Sequence, residues 1–368
     1  MVKSSVFSDL TLTRKSLQAV IELARKFKKE NGRIPVFMEV CGSHTMAFAK
    51  SGIKTRLKDD IRLIAGPGCP VCVTDQKSID AMIQLSEGPN RILCTFGDMM
   101  RVPGSKYTLM EAKTEGKDIR VVYSPVDSVK IAEENPNKEV VFLGIGFETT
   151  IPLLALAVRE AKSRKLKNYS IWMTTKLVEP MLRVLLESGE VKLDGFILPG
   201  HVSVVIGKQS FDFLTKEYGI SGVISGFEPV QLLSGMYKLL QLLLSEKTDI
   251  INDYPYVVSE EGNLVAQRLI EEYLEPHDEI WRGISIIPKS GYVLKDEYAQ
   301  FDAKKKFHIS IEEPRKTPCR CGEVIQGSIT PEECRLFNKS CTPSHPIGPC
   351  MVSTEGTCAA HYQYMRGK

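Results

Sequence analysis

The chain has 368 residues, 43% hydrophobic and 25% charged, with a formal net charge of +3. That is enough apolar material for two or three cores, and the near balance of charge excludes the strongly basic surface of a nucleic-acid binder. No charged-then-apolar leader opens the sequence, and the longest apolar run, Leu232 to Leu244, is broken by Ser234, Gly235, Lys238 and Gln241, so no membrane span is expected and the expected compartment is the cytoplasm.

Ser8 to Asn31 carries Leu10, Leu12, Leu17, Val20, Ile21, Leu23 and Ala24 at helical spacing and ends at Gly32, which predicts a first helix. The apolar run from Ile34 to Val40 reads as a buried strand. It delivers the turn Cys41-Gly42-Ser43-His44-Thr45, after which a helix runs from Met46 to about Ser51. A thiol at such a strand-to-helix turn feels outward-pointing N–H groups and the positive end of the helix, which predicts a lowered pKa and an available thiolate. His44 is suited there as a second ligand, a proton carrier or a hydrogen-bond partner. The competing reading is a buried structural cysteine.

Ile61 to Ala65 is a second strand, ending in the stiff loop Gly66-Pro67-Gly68-Cys69-Pro70-Val71-Cys72. Its C-x-x-C, ahead of a helix from Asp75 to Leu85, suits a redox couple or a metal clip; half of a zinc site is the alternative, weakened because no second C-x-x-C follows. Arg91 to Phe96 is a strand whose Cys94 reads as a core thiol, with Asp98 and Arg101 at its exit expected to line a cleft. Ile119 to Tyr123, Glu139 to Ile145, Tyr169 to Met173, Gly195 to Leu198 and Gly222 to Ser225 read as further strands. Helices separate them, over Asp127–Glu134, from Pro152 to about Lys162, through Glu187, and over Val230–Leu244. Gly144-Ile145-Gly146 lacks the third glycine and distal acid of a dinucleotide fingerprint and is read as a tight turn exposing Glu148. His201, between Gly200 and Ser203 at a strand exit, is equally a cleft residue or a hydrogen-bonded structural one.

This alternation predicts an α/β fold of two similar Rossmann-like units with parallel sheets, facing each other across a cleft at the carboxyl ends of their strands. The expected division is 1–130, 131–245, and a mixed C-terminal domain over 246–368. In the last part a helix spans Asn263–Leu274, Ile284–Ile287 and Gly291–Leu294 are read as a short strand pair, and Glu297–Phe307 as a charged helix.

Ten cysteines in a cytosolic chain point to metal or redox chemistry, and six of them lie beyond Thr317. Cys319, Cys321, Cys334, Cys341, Cys350 and Cys358 alternate with glycines and prolines in a stretch too poor in large apolar residues to build a core, so an inorganic centre is expected to hold it. Zinc favours short C-x-x-C clips, which are missing; an iron–sulfur cube tolerates wide spacing.

The motifs Cys41-Gly42-Ser43-His44-Thr45, Gly66-Pro67-Gly68-Cys69-Pro70-Val71-Cys72, Gly146-Phe147-Glu148-Thr149-Thr150 and Pro199-Gly200-His201-Val202-Ser203, together with the C-x14-C-x6-C-x16-C array, resemble the [NiFe]-hydrogenase maturation family HypD over essentially the whole chain. The resemblance implies a redox-active scaffold rather than a free-standing enzyme. On it, together with a small HypC-type chaperone, the Fe(CN)2(CO) group is assembled, with cyanide arriving from HypE and HypF upstream. It implies that Cys41 is the iron ligand, supported by His44. Cys69 and Cys72 would be a redox pair, and Cys319, Cys334, Cys341 and Cys358 would hold a [4Fe-4S] cluster. Cys321 and Cys350 would be a proximal dithiol that relays electrons for ligand attachment, with Glu148, His201 and Glu355 lining the cleft. Two rivals remain at this point: a thiol–disulfide oxidoreductase of the ferredoxin–thioredoxin reductase type, and a metal-stapled interaction protein.

Overall fold

The computed structural model describes residues 9–311, 313–314 and 317–366. The first helix runs Leu10–Asn31 and is capped by the Asp9 carboxylate, which accepts from the N–H groups of Thr11 and Leu12, while Gly32 closes it in the left-handed region. The expected start at Ser8 and the leader stretch before it lie outside the described residues.

Eleven strands follow among the described residues: β1 (Val36–Glu39), β2 (Arg62–Ala65), β3 (Arg91–Thr95), β4 (Ile119–Val121), β5 (Glu139–Gly146), β6 (Tyr169–Thr175), β7 (Gly195–Pro199), β8 (Ser221–Ser225), β9 (Ile250–Asn252), β10 (Leu274–Trp281) and β11 (Ser285–Leu294). They form a five-stranded sheet in the order β2-β1-β7-β8-β9, a four-stranded sheet in the order β4-β3-β5-β6, and the β10–β11 pair. Every pairing within the two large sheets is parallel, as the βα alternation requires.

The strands do not group by a contiguous division at residue 130. β3 and β4 join β5 and β6, while β1 and β2 join β7, β8 and β9. Residues 91–175 thus supply one whole sheet, inserted between the first two strands of the other and its last three. The alternation of side chains along each strand divides them between the two faces of each sheet. Phe37, Ile197 and Val223 face the helices Leu10–Asn31 and Pro229–Leu244 in one core, and Ile92, Phe142 and Ile171 face helices Pro125–Glu134 and Ile151–Ser163 in a second. Met38, Leu93, Val141, Phe196 and Ile224 point to the opposite faces, and these share a single third core.

The expected strand pair Ile284–Ile287 with Gly291–Leu294 is corrected. All but Ile284 of these residues lie within β11, whose antiparallel partner is β10, from Leu274↔Leu294 to Trp281↔Ser285, with a register shift between His277 and Glu279. The helix before it stops at Tyr273, since Pro276 removes a donor and biases its predecessor to extended backbone. The charged helix expected over Glu297–Phe307 is two short pieces, a 3-10 turn Asp296–Phe301 and the helix Ala303–Lys306 capped by Asp302. Among the described residues no helix is long and apolar enough to cross a membrane.

Candidate functional site

The chain leaves β1 and enters the helix Gly42–Lys50 directly, four residues before the expected start, with Cys41 as the extended residue at its N-terminus. The N–H groups of Ser43 and His44 therefore face the Cys41 sulfur and favour its thiolate, as the turn geometry predicts. They do not win. Burial pushes the Cys41 thiol up to about 11, and the charge of Glu355 adds to the push. The expected lowered pKa is thus overturned first by burial and further by a carboxylate that comes from more than 300 positions along the chain. Ser43 Oγ donates to Glu355 Oε1 at 2.5 Å.

His44 is fully buried. Its Nε2 lies 3.2 Å from the Ser225 carbonyl and 3.1 Å from the Gly226 carbonyl, so Nε2 carries the hydrogen and donates. Nδ1 has no partner, and burial lowers the ring to about 4. Phe227 stacks on His44 with centroids 4.6 Å apart and on His201 at 4.0 Å. His201 opens the helix Gly200–Ile206 straight after β7; partial burial lowers its pKa and the Glu355 charge opposes this. Cys41, His44, His201 and Glu355 are one group.

The second loop touches the first through the backbone. Gly42 N–H donates to the Gly68 carbonyl at 3.1 Å, and a Cβ on Gly68 would sit 2.5 Å from Cys41 Cα. Cys69 caps a one-turn helix, Pro70–Val73, and its sulfur accepts from Cys72 N–H at 3.2 Å. The two are joined as a disulfide, buried at 4% and 0% exposure.

Behind that helix lie the remaining thiols. The helix Cys321–Ile325 and the turn Pro349–Met351 both pack on Pro70–Val73, and Cys321 and Cys350 share a core with Cys69 and Cys72. Thiol–thiol hydrogen bonds link Cys319 to Cys321, Cys321 to Cys350 and Cys350 to Cys358. Those bonds and burial hold Cys319 well above the ordinary thiol range. All six C-terminal cysteines line one small pocket with Val324, Leu336, Phe337 and Met351, and neither a carboxylate nor an imidazole joins them. Among the described residues no three His, Cys, Asp or Glu side chains converge closely enough to grip a single ion. The metal-ligating side chains in this lining are thiols alone, the donor set that a thiolate-held group takes.

Glu148 is corrected. It is not exposed by its turn but buried, its Oε1 accepting from Val178 N–H at 2.8 Å at the start of the helix Val178–Ser188. Oε2 has no partner, and burial pushes the carboxyl up to about 7. It stands at the exit of β5, in the other sheet from Cys41. Asp98 and Arg101, expected at a cleft, hold the C-terminal segment. Ser353 Oγ donates to Asp98 at 2.9 Å, and Arg101 reaches the Val352 carbonyl at 3.4 Å. The sequence reading missed Phe227, whose Gly-Phe-Glu-Pro turn was visible as a strand exit, and the contacts of Lys176, Trp281 and Arg282, for which no local pattern exists.

A family model for HypD, described as "Hydrogenase formation hypA family", matches residues 15–365. The chain belongs to the HypD family. Among its relatives, hydrogenase maturation factor HypD of Escherichia coli strain K12 is 43% identical over 329 residues, covering 89% of this chain and 88% of its own. Hydrogenase maturation factor HypD2 of Bradyrhizobium diazoefficiens is 43% identical over 339 residues, with 90% and 89% covered. HypD of Rhodobacter capsulatus is 41% identical over 367 residues, with 98% and 97% covered. The matched residues of this HypD-family chain include the whole stretch from Cys41 to Cys358.

Proposed function

We propose that this hydrogenase maturation factor is a scaffold on which the Fe(CN)2(CO) group is assembled with a small HypC-type chaperone, cyanide coming from a HypE-type partner with HypF upstream. The observation that carries the reading is the backbone contact between the Cys41 and Gly68 loops, which puts a free thiol beside a disulfide and both in front of the C-terminal thiols.

Cys41 binds the incoming iron, which is substrate here; a soft thiolate suits low-spin iron with cyanide and carbonyl ligands. The Cys41 thiol keeps its proton near neutrality, so iron displaces that proton as it binds. Glu355, whose charge acts on both Cys41 and His201, is the acceptor within the group. The Nε2–H of His44 is committed to two carbonyls, which locks the Cys41 helix against the β8 exit and leaves the Nδ1 lone pair as the ring's free donor in support of the Cys41 site. Cys319, Cys334, Cys341 and Cys358 would hold a [4Fe-4S] cluster, which supplies single electrons when bound.

Cys321 and Cys350 supply two electrons to Cys69–Cys72 by thiol–disulfide exchange. A Cys321 thiolate attacks one sulfur of the disulfide; that S–S bond breaks and a mixed disulfide forms. Cys350 then attacks the Cys321 sulfur, closing a Cys321–Cys350 disulfide, and two protons end on Cys69 and Cys72.

The test is infrared spectroscopy of the chain purified without oxygen in complex with its small chaperone. Cyanide and carbonyl stretches are expected, and Cys41→Ala is expected to lose them while acid-labile sulfide stays at the parent level. Bands that survive Cys41→Ala, or a chain that holds zinc and no sulfide, would sink the scaffold reading.

A further inference from the structure

The tip of the β10–β11 hairpin lies between the helix that carries the Cys69–Cys72 disulfide and the helix that carries Cys321. On the disulfide side, Arg282 N–H donates to the Val73 carbonyl and its Nε donates to the Thr74 carbonyl, both at 2.8 Å. Its two terminal nitrogens reach Gln76 Oε1 at 3.3 and 3.4 Å. Thr74 and Trp281 also form an antiparallel bridge. On the other side, Gln326 donates to the Gly283 carbonyl at 2.9 Å, and a Cβ on Gly283 would lie 2.4 Å from Gly322 Cα, the residue after Cys321. The tip itself is held by Trp281, 1% exposed, whose Nε1 donates to Ser290 Oγ at 2.8 Å.

A helix of one turn does not hold itself, because nucleation costs more than a single hydrogen bond returns. Pro70–Val73 has only four residues. Its carbonyl end at Val73 and Thr74 is bound by one side chain and one backbone N–H of the same residue. That residue belongs to a turn in backbone contact with the Cys321 helix. Exchange between thiols is strict about geometry, since the attacking sulfur must approach along the S–S axis, so the register of these two helices decides whether it proceeds.

We propose that Arg282 is a positioning residue for the exchange between the Cys69–Cys72 disulfide and Cys321, holding the disulfide's helix in register with the Cys321 helix. The inference rests on the exchange reading above. Arginine suits the task because its planar fork reaches the Thr74 carbonyl and Gln76 together, which a lysine cannot do.

Disulfide trapping in the full chain, purified without oxygen, tests it. Two backgrounds, Cys69→Ser with Cys350→Ser and Cys72→Ser with Cys350→Ser, each leave one C-x-x-C thiol and Cys321. Diamide joins the two sulfurs and takes up their two electrons and two protons, and peptide mapping identifies the cross-link. One background is expected to yield the Cys321 cross-link, and adding Arg282→Gln is expected to slow its formation by about tenfold or more, toward the roughly hundredfold of a reacting pair displaced by an ångström. Iron content and melting temperature are expected to stay at the parent values. Should Arg282→Gln fail to fold, Arg282→Lys carries the test, with an expected slowing of about threefold or more. A cross-link that forms at the parent rate in a folded Arg282 variant overturns the positioning role and leaves the exchange standing. A fall in iron content parallel to the fall in cross-linking gives Arg282 a general structural role and also overturns it. Failure to cross-link in either parent background removes the exchange reading, and the inference with it.

Discussion

Burial shifts two groups in this fold toward their uncharged forms, in opposite directions of pH. Glu148 is raised to about 7 by burial, so the stability linked to it is fully present below its unfolded value and lost as pH rises from about 4.5 to about 7. His44 is lowered to about 4 by burial, so its linked stability is complete above about 6.5 and lost as pH falls toward 4. Over about pH 5 to 7 each is worth about 2 kcal/mol and the two nearly cancel in the parent chain. Glu148→Gln removes one of them. Its melting temperature relative to the parent is expected to rise between about pH 5 and pH 7, by the equivalent of about 2 kcal/mol. A difference that does not change with pH would mean that Glu148 is ionised in the fold.

At the scale of elements, the contact between two loops sets the site. Both loops leave adjacent strands, β1 and β2, which pair in register from Val36↔Arg62 to Glu39↔Ala65, so their exits are neighbours by construction. What brings the backbones together is the missing side chain at Gly68, where a Cβ would meet Gly42 N at 2.4 Å and Cys41 Cα at 2.5 Å. Neither is the end of a flexible side chain, so Gly68→Ala must move a loop. It is expected to cost about 2 kcal/mol or more in urea unfolding and to lower the iron bound through Cys41, with little change in acid-labile sulfide. An alanine variant with parent stability and parent iron would show that the loops move apart freely.

At the scale of the molecule, the C-terminal segment and the hairpin tie the two sheets to each other. Ser353 bonds Asp98 beyond β3, and two residues later Glu355 bonds Ser43 beyond β1. On the hairpin, Glu279 pairs with Lys176, which follows β6, at 2.8 Å; the lysine side chain is 0% and the glutamate 6% exposed. A buried pair is worth little against a well-packed apolar substitute, yet removing one partner strands the other charge. Glu279→Leu, which strands the buried Lys176 charge, is expected to lose about 3 kcal/mol or more; Lys176→Met is expected to lose less, because Lys304 Nζ stands 3.6 Å from Glu279 Oε1, and the double variant less than Glu279→Leu. Thermal unfolding of the four proteins checks the sign, and additive losses would refute the coupling.

The sequence by itself determined the first eight strands, most of the helices and the thiols. Strong βα alternation and caps such as Asp75 and Asn263 are local signals, and the family motifs mark Cys41, Cys69, Cys72 and the C-terminal array where they stand. The helix Ala303–Lys306 and the β10–β11 pairing were harder, because short elements and a proline-bearing strand carry little periodicity. Only the tertiary structure decided which strands share a sheet, that Glu148 is buried, and that the Cys41 thiol is raised and not lowered. The reason is common to all three. Each depends on groups distant in sequence, β7 beside β1, Val178 against Glu148 and Glu355 against Cys41. Burial and charge act through space, where the chain's own order gives no measure of distance.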